Sequence, residues 1–273
     1  MQKNICQKIQ EECTYLLSSA SLDHIFLRKL KFLNICYINI NKNEFINKRA
    51  VYYAAVNIFQ NQTVVDRLID LYTKKFNCEM QDLFIKPGRK GFFEGSLTII
   101  KEEIKLNLEG IQLIPEMTEG TEIECNSLIA LIIEKESVFN RIHCKNVLKI
   151  CGKGFPDKNT LKMLTLLPPK IKIFCLTDFD PHGLLIFLNY KKSVKSLIRI
   201  GIDFSDIFEY KIKKEDIIKL SNKDRSLLKG LMFTEEKENA KFLIGFNHKI
   251  EIEAIFNSKN VEINEYLIRK MGL

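Results

Sequence analysis

An α/β protein with a parallel sheet, preceded by a smaller helical module, is the fold this sequence predicts, and three observations predict it. Residues 128–133, 147–151 and 171–176 are short apolar runs of the kind that fill strands buried on both faces, with helical spacing between them. The chain before residue 77 shows helical apolar spacing without such runs. Residues 115–126, polar and acidic, separate regions of different character and form the best linker candidate.

In chain order, Ile5, Ile9, Cys13, Leu16 and Leu17 fall at helical spacing before Ser18-Ser19-Ala20-Ser21 breaks the pattern, which predicts an amphipathic arm over residues 1–25. Residues 26–59 remain mostly helical, with a break at Asn41-Lys42-Asn43, and a further helix is predicted over 62–76. Short strands are then expected at 83–85, 92–93, 96–100 and 104–114, around turns at Pro87-Gly88 and Gly91. Helices followed by a small hairpin suggest a winged-helix module, a fold often used to hold DNA, over residues 26–118. The α/β domain is predicted over 124–273. Its strands at 128–133, 147–151 and 171–176 alternate with helices at 138–142, 156–166 and from Pro181 onward, as parallel crossovers require. Residues 197–202 suggest a fourth strand, and the remainder reads as mainly helical.

Composition narrows the class. With 273 residues, 46% of them hydrophobic, the chain can bury the cores of one large or two ordinary domains. Its apolar runs fall short of the roughly 20 residues of a membrane span, and Met1-Gln2-Lys3-Asn4 leads into no secretory apolar core, so the expectation is an intracellular protein without membrane contact. Eight cysteines without a Cys-x-x-Cys pair read as reduced core residues; His143-Cys144 followed by Cys151 is a weak zinc signal. The net charge of +8 suits a polyanionic partner and an ordinary surface alike. The excess gathers at Lys86, Arg89 and Lys90 and at Lys191, Lys192 and Lys195, where it would neutralise phosphates near an acidic site.

The acidic site is suggested by Asp178-Phe179-Asp180-Pro181-His182-Gly183, which follows the run 171–176. Two carboxylates at the end of a buried strand, with a proline suited to open the next helix, stand where open α/β sheets bind ligands. In extended chain both side chains point to one side, and their repulsion would keep one protonated unless a cation such as Mg²⁺ joins them. Solvated acids capping the next helix are the plainer alternative for an isolated Asp-x-Asp. The other strands end in Glu134 and in Gly152-Lys153-Gly154, on the same sheet edge, so one acid from one strand and two from another can meet around one cation. A nucleophile is available in the predicted helix 48–60. Tyr52 lines up with Val56 and Phe59 and faces the core, whereas Tyr53 lines up with Arg49, Asn57 and Gln60 on a polar face. A phenol with a pKa of about 10 needs help to attack at neutral pH. Arg49 could supply it, although on spacing alone a surface tyrosine stacked on arginine is the simpler reading.

Six segments occur together in the order of one family: Lys48-Arg49-Ala50-Val51-Tyr52-Tyr53, Asn61-Gln62-Thr63-Val64-Val65-Asp66, Lys90-Gly91-Phe92-Phe93-Glu94-Gly95, Ile132-Ile133-Glu134-Lys135-Glu136-Ser137-Val138-Phe139, Gly152-Lys153-Gly154-Phe155-Pro156-Asp157 and Asp178-Phe179-Asp180-Pro181-His182-Gly183. Over roughly residues 45–206 the sequence resembles the meiotic double-strand-break proteins, relatives of the A-type chain of topoisomerase VI. The resemblance implies a winged-helix domain of the catabolite-activator-like type carrying an active tyrosine, followed by a topoisomerase-primase (toprim) domain carrying metal acids. It implies Tyr53 as nucleophile with Arg49 beside it, and Glu134, Asp178 and Asp180 as ligands of Mg²⁺. Glu136 competes by composition, but Glu134 directly ends the apolar strand. Lys86, Arg89, Lys90, Lys153 and His182 are the expected DNA contacts.

The implied activity is that of a type IIB topoisomerase-like transesterase acting on double-stranded DNA in the nucleus. Tyr53 would join a 5′ phosphate and release a 3′ hydroxyl, in a homodimer at least for cleavage. The expected partners are a B-type transducer subunit, since no ATPase motif is recognisable here, and accessory recombination proteins. A topoisomerase VI A-type chain that cuts and reseals, a toprim nuclease using water, and a catalytically idle DNA-binding scaffold are the competing expectations. Residues before Lys48 match the family poorly.

Overall fold

The computed structural model describes residues 2–18, 23–86, 88–257 and 262–272, so the breaks expected at Ser19-Ala20-Ser21 and at Pro87 lie outside the described residues. The chain divides into two units, Met1–Gly88 and Arg89–Leu273.

In the first unit the 3.6-residue spacing yields α1 (Gln2–Ser18) and α2 (His24–Lys42). Asp23 caps α2 by accepting from the Phe26 amide, and Asn43, at φ 56°, ends it in the left-handed region that asparagine tolerates. β1 (Ile46–Asn47) leads into α3 (Lys48–Tyr53), α4 (Val56–Phe59) and α5 (Gln62–Phe76), the last capped by Asn61 and closed by Asn77 at φ 47°. A 3₁₀ turn, Met80–Leu83, then brings in β2 (Ile85–Lys86), parallel to β1. The continuous helix expected over 48–60 is corrected: Ala55, at φ −160° and ψ 59°, separates α3 from α4. Phe59 is still fully buried, among Phe32, Val51, Val65 and Tyr72, whereas Val56 is exposed. Packing of Phe59 overrides the helical preference of Ala54-Ala55.

The second unit holds β3 (Phe92–Glu94), β4 (Leu97–Lys101), β5 (Ile104–Leu108), β6 (Ile111–Leu113), β7 (Glu122–Glu124), β8 (Ile129–Ile133), α6 (Glu136–Phe139), β9 (Val147–Cys151), α7 (Lys158–Leu166), β10 (Lys172–Leu176), α8 (Pro181–Ser193) and β11 (Ile198–Arg199). Beyond them lie α9 (Phe204–Glu209), β12 (Ile217–Lys219), α10 (Asn222–Leu231), α11 (Lys237–Phe246), β13 (His248–Ile250), α12 (Glu253–Asn257) and α13 (Ile263–Met271). The region read as mainly helical therefore also contains an antiparallel pair, β12 with β13.

Of the strands expected in the helical module, those at 92–93, 96–100 and 104–114 belong instead to this second unit, and the boundary predicted near residues 115–126 moves to Gly88/Arg89. β3 lies antiparallel to β9 and to β6, so these two strands extend a six-stranded sheet in the order β11-β10-β8-β9-β3-β6. Glu109-Gly110, with the glycine at φ 71°, divides the predicted strand 104–114 between two sheets, and β5, β4 and β7 form the other. The acidic stretch misled because its strand alternates: Glu122 and Glu124 face outward while Ile123 is buried.

β8, β9, β10 and β11 are parallel. Alternate residues face two cores. Leu131, Ile133, Phe174 and Leu176 pack with Val138 and Phe139 of α6 and with Leu243 and Tyr266 of the C-terminal helices. Ala130, Ile132, Ile173 and Cys175 pack under Met163 of α7 and Phe187 and Tyr190 of α8. All eight cysteines are free. The chain leaves β8 toward β9 and leaves β10 toward β11 on the opposite side, so the strand order reverses between β8 and β10. The crevice beyond the carboxyl ends of such a pair is the ligand position of open α/β sheets. Among the described residues no helix is long and apolar enough to cross a membrane.

Candidate active site

Three carboxylates stand at this crevice. Glu134 continues β8, its amide donating to Leu176 O at 3.1 Å, and its side chain reaches across, Oε2 accepting from the Asp178 amide at 3.0 Å. Asp178 leaves β10, and Asp180 is the N-cap of α8, Oδ1 accepting from the Gly183 amide at 2.6 Å. Phe179, between the two acids, is fully buried in the core that holds Leu176 and Leu243. Pro181 fits the first helical position because its missing N–H would have no partner there. Gly183 admits the close approach of α8 to the strand end, since a Cβ there would lie 2.4 Å from Asp178 O. Arg199 of β11 braces the same turn, Nη2 donating to Asp178 O at 3.2 Å and to Ile202 O at 2.8 Å.

Glu134, Asp178 and Asp180 are 8%, 3% and 9% exposed. Burial first, then repulsion from Asp178 and Asp180, pushes the Glu134 carboxyl up to about 8. Asp178 is raised to about 6, chiefly by burial, against the pull of the Lys135 ammonium 2.9 Å from its Oδ2. Glu136 is exposed and pairs with Lys153, so of the two glutamates only Glu134 lies within the crevice. Among the described residues no three His, Cys, Asp or Glu side chains are grouped as a ready metal cluster: the carboxylates turn onto backbone amides and Lys135. The donor chemistry nevertheless fits a hard divalent cation, because three buried carboxylates offer it oxygen ligands, and Glu134 and Asp178, raised chiefly by burial, are groups whose negative form such a charge favours.

Lys90 and Lys153 come together beside this crevice. Asp157 Oδ2 accepts from the Lys90 and Gly91 amides at 2.9 and 3.1 Å, Lys90 Nζ donates to Lys153 O at 3.2 Å, and the Gly154 amide donates to Glu134 O at 3.0 Å. Arg89 and His182 are exposed, the latter on the first turn of α8. In the first unit, Lys86 lies over the Phe45 ring at 4.2 Å. There Tyr53 ends α3, 59% exposed, with Arg49 Nε donating to its Oη at 3.3 Å. Four groups at the crevice were not anticipated: Lys135, Arg199, Glu251 and Glu253. Only Lys135 had a signal, lying inside the Glu134 motif.

Parallel strands that gather buried carboxylates at their switch point define an α/β domain with its candidate site at the carboxyl edge of the sheet. Residues 129–271 match the toprim domain shared by Spo11 and the A-type chain of topoisomerase 6, and residues 24–85 match the type IIB DNA topoisomerase family. The chain belongs to this topoisomerase 6 A/Spo11 family. It is 29% identical over 248 residues to the probable meiosis-specific protein SPO11 homolog of Encephalitozoon cuniculi, covering 82% of each chain. It is 30% identical to the meiotic recombination protein rec12 of Schizosaccharomyces pombe, over 77% of this chain and 67% of that one. The human meiotic recombination protein SPO11 is 29% identical over 74% of this chain, which spans 58% of the human length.

Proposed function

We propose that this protein is a nuclear, topoisomerase-like transesterase that makes DNA double-strand breaks for meiotic recombination. The observation that carries the reading is the buried Glu134, Asp178 and Asp180 trio at the switch point, in a chain that matches two models of one family and bears a polar-face tyrosine, paired with arginine, on a separate unit. The helices of residues 24–85 are read as the core of a winged-helix domain, and Lys86, Arg89, Lys90, Lys153 and His182 as contacts to DNA phosphates.

In the proposed reaction Tyr53 Oη attacks a DNA phosphorus, the P–O3′ bond breaks, and the proton lost by the phenol ends on the 3′ hydroxyl. One phosphodiester is exchanged for another, so the break itself requires no nucleotide hydrolysis. Arg49 orients the phenol through its hydrogen bond. Glu134, Asp178 and Asp180 would hold Mg²⁺, which when bound supplies Lewis-acid stabilisation of charge on the phosphate. Lys153 and Lys90 offset the repulsion that a crevice of acids exerts on DNA. A chain with one such tyrosine cuts one strand, so a double-strand break takes two copies; in keeping with the family resemblance, each tyrosine is assigned to the partner's cation site. Accessory recombination proteins and a B-type transducer complete the proposed assembly.

The test is to trap denaturation-resistant protein–DNA adducts with wild type and Tyr53→Phe. Wild type should yield tyrosine-linked 5′ ends in a divalent-cation-dependent manner, and the variant none. Adducts formed by the variant would defeat the assignment of the nucleophile.

A further inference from the structure

The strand end bearing Asp178 is closed by a distant piece of chain. Phe179 and Ile250 exchange backbone hydrogen bonds at 2.9 and 3.1 Å, and the Ile252 amide donates to Asp178 Oδ1 at 2.9 Å. The other oxygen, Oδ2, faces Lys135 Nζ at 2.9 Å. That same ammonium lies 3.1 Å from Glu251 Oε2 and 3.0 Å from Glu253 Oε2, and Ser137 Oγ reaches the second oxygen of Glu253 at 3.3 Å. One ammonium is thus shared by three carboxylates, one of which is a proposed cation ligand.

An ammonium and a divalent cation compete for the charge on Asp178 and repel each other. Losing Asp178 would ordinarily strand a lysine whose side chain is only 25% exposed. Here it would not, because Glu251 and Glu253 are already within bonding distance. We propose that Lys135 is a positioning residue that competes with the divalent cation for Asp178, and that Glu251 and Glu253 hold the displaced ammonium once the cation is bound. This rests on the reading of Glu134, Asp178 and Asp180 as ligands. Its consequence is selectivity: a monovalent ion gains little over the ammonium already present, whereas a doubly charged ion can displace it.

The test uses the full chain without DNA and Mn²⁺ as the probe, with free Mn²⁺ measured by electron paramagnetic resonance. Lys135→Met should tighten Mn²⁺ binding by about tenfold, and Glu251→Gln with Glu253→Gln should weaken it by about tenfold. Combined with Lys135→Met, the two glutamine substitutions should change affinity by less than about threefold, since the ammonium they hold is gone. Near-ultraviolet circular dichroism checks each variant's fold. Should Lys135→Met not fold, Lys135→Gln takes its place, with the same expected tightening. Unchanged or weaker binding by a folded Lys135 variant overturns the inference, as does an equal loss from the glutamine pair in both backgrounds. A separate outcome concerns the ligands themselves: Mn²⁺ binding that survives combined Glu134→Gln and Asp180→Asn would overturn their assignment, whatever Lys135 does.

Discussion

Glu134→Gln should make the cation-free protein more stable while destroying its use for the cation. In the fold Glu134 gives up its proton near pH 8, against 4.5 as an ordinary carboxyl. Between those values the folded chain holds a proton that the unfolded chain has released, so stability is full below about pH 4.5 and is lost as pH rises through about 8. A displacement of this size, at 1.36 kcal/mol per unit, corresponds to a ceiling of roughly 4–5 kcal/mol, shared with Asp178 because the two acids titrate as a pair. Glutamine carries no charge to desolvate and retains an oxygen for the Asp178 amide. In chelator at about pH 8.5, Glu134→Gln should therefore exceed wild type by about 2–4 kcal/mol, and at about pH 5 the difference should nearly vanish. Urea unfolding of the full chain, followed by circular dichroism at both pH values, reads this directly. Adding Mg²⁺ should stabilise wild type by mass action and leave the variant unmoved. A variant no more stable than wild type at the higher pH, in chelator, would refute the argument, because it would mean that Glu134 is ionised there without penalty.

Three further outcomes are expected. Tyr53→Phe should change unfolding free energy by less than about 0.5 kcal/mol, because Tyr53 is exposed and its hydroxyl bonds to an exposed arginine. Asp180→Asn should keep the cap of α8 and lose Mn²⁺ affinity, whereas Asp180→Ala should also lose about 1 kcal/mol in urea unfolding; equal stability of the two would show that the cap to Gly183 contributes nothing. Gly183→Ala should cost several kcal/mol or prevent soluble expression, since its Cβ would stand 2.4 Å from Asp178 O, and a wild-type melting temperature would contradict that packing.

Much of the architecture is written in local pattern. The runs that became β8, β9 and β10 are apolar because both faces of the strands are covered, and the break at Asn41-Lys42-Asn43 ended α2 through the left-handed cap at Asn43. The meeting of Glu134 with Asp178 follows from parallel topology alone: strands that share a direction share a carboxyl edge. What was not legible depends on distant partners. Nothing local marks Phe92 and Phe93 as pairing with β9 rather than standing in a hairpin of the helical module, because an antiparallel strand joins by backbone pairing that many sequences can make. The break at Ala54-Ala55 opposes helix propensity. It is held by Phe59 in the core and by Arg28, which donates to Ile58 O and to Gln60 Oε1. Glu251 and Glu253 carry no local signal, because only the placement of the chain after β13 sets them beside Lys135, 116 and 118 residues earlier.

That last separation bears on how the protein is made. A polypeptide is synthesised from its amino terminus, and Ile252, which holds Asp178 Oδ1, follows that aspartate by 74 residues. While the C-terminal third is still being translated, β8 and β10 can pair, but Asp178 has no Ile252 amide and Lys135 lacks two of its three carboxylates. Closing so long a loop costs chain entropy before its contacts repay it. On the proposed function, a chain released early from the ribosome would carry its tyrosine yet lack an ordered crevice, so an unfinished copy could not cut the chromosome.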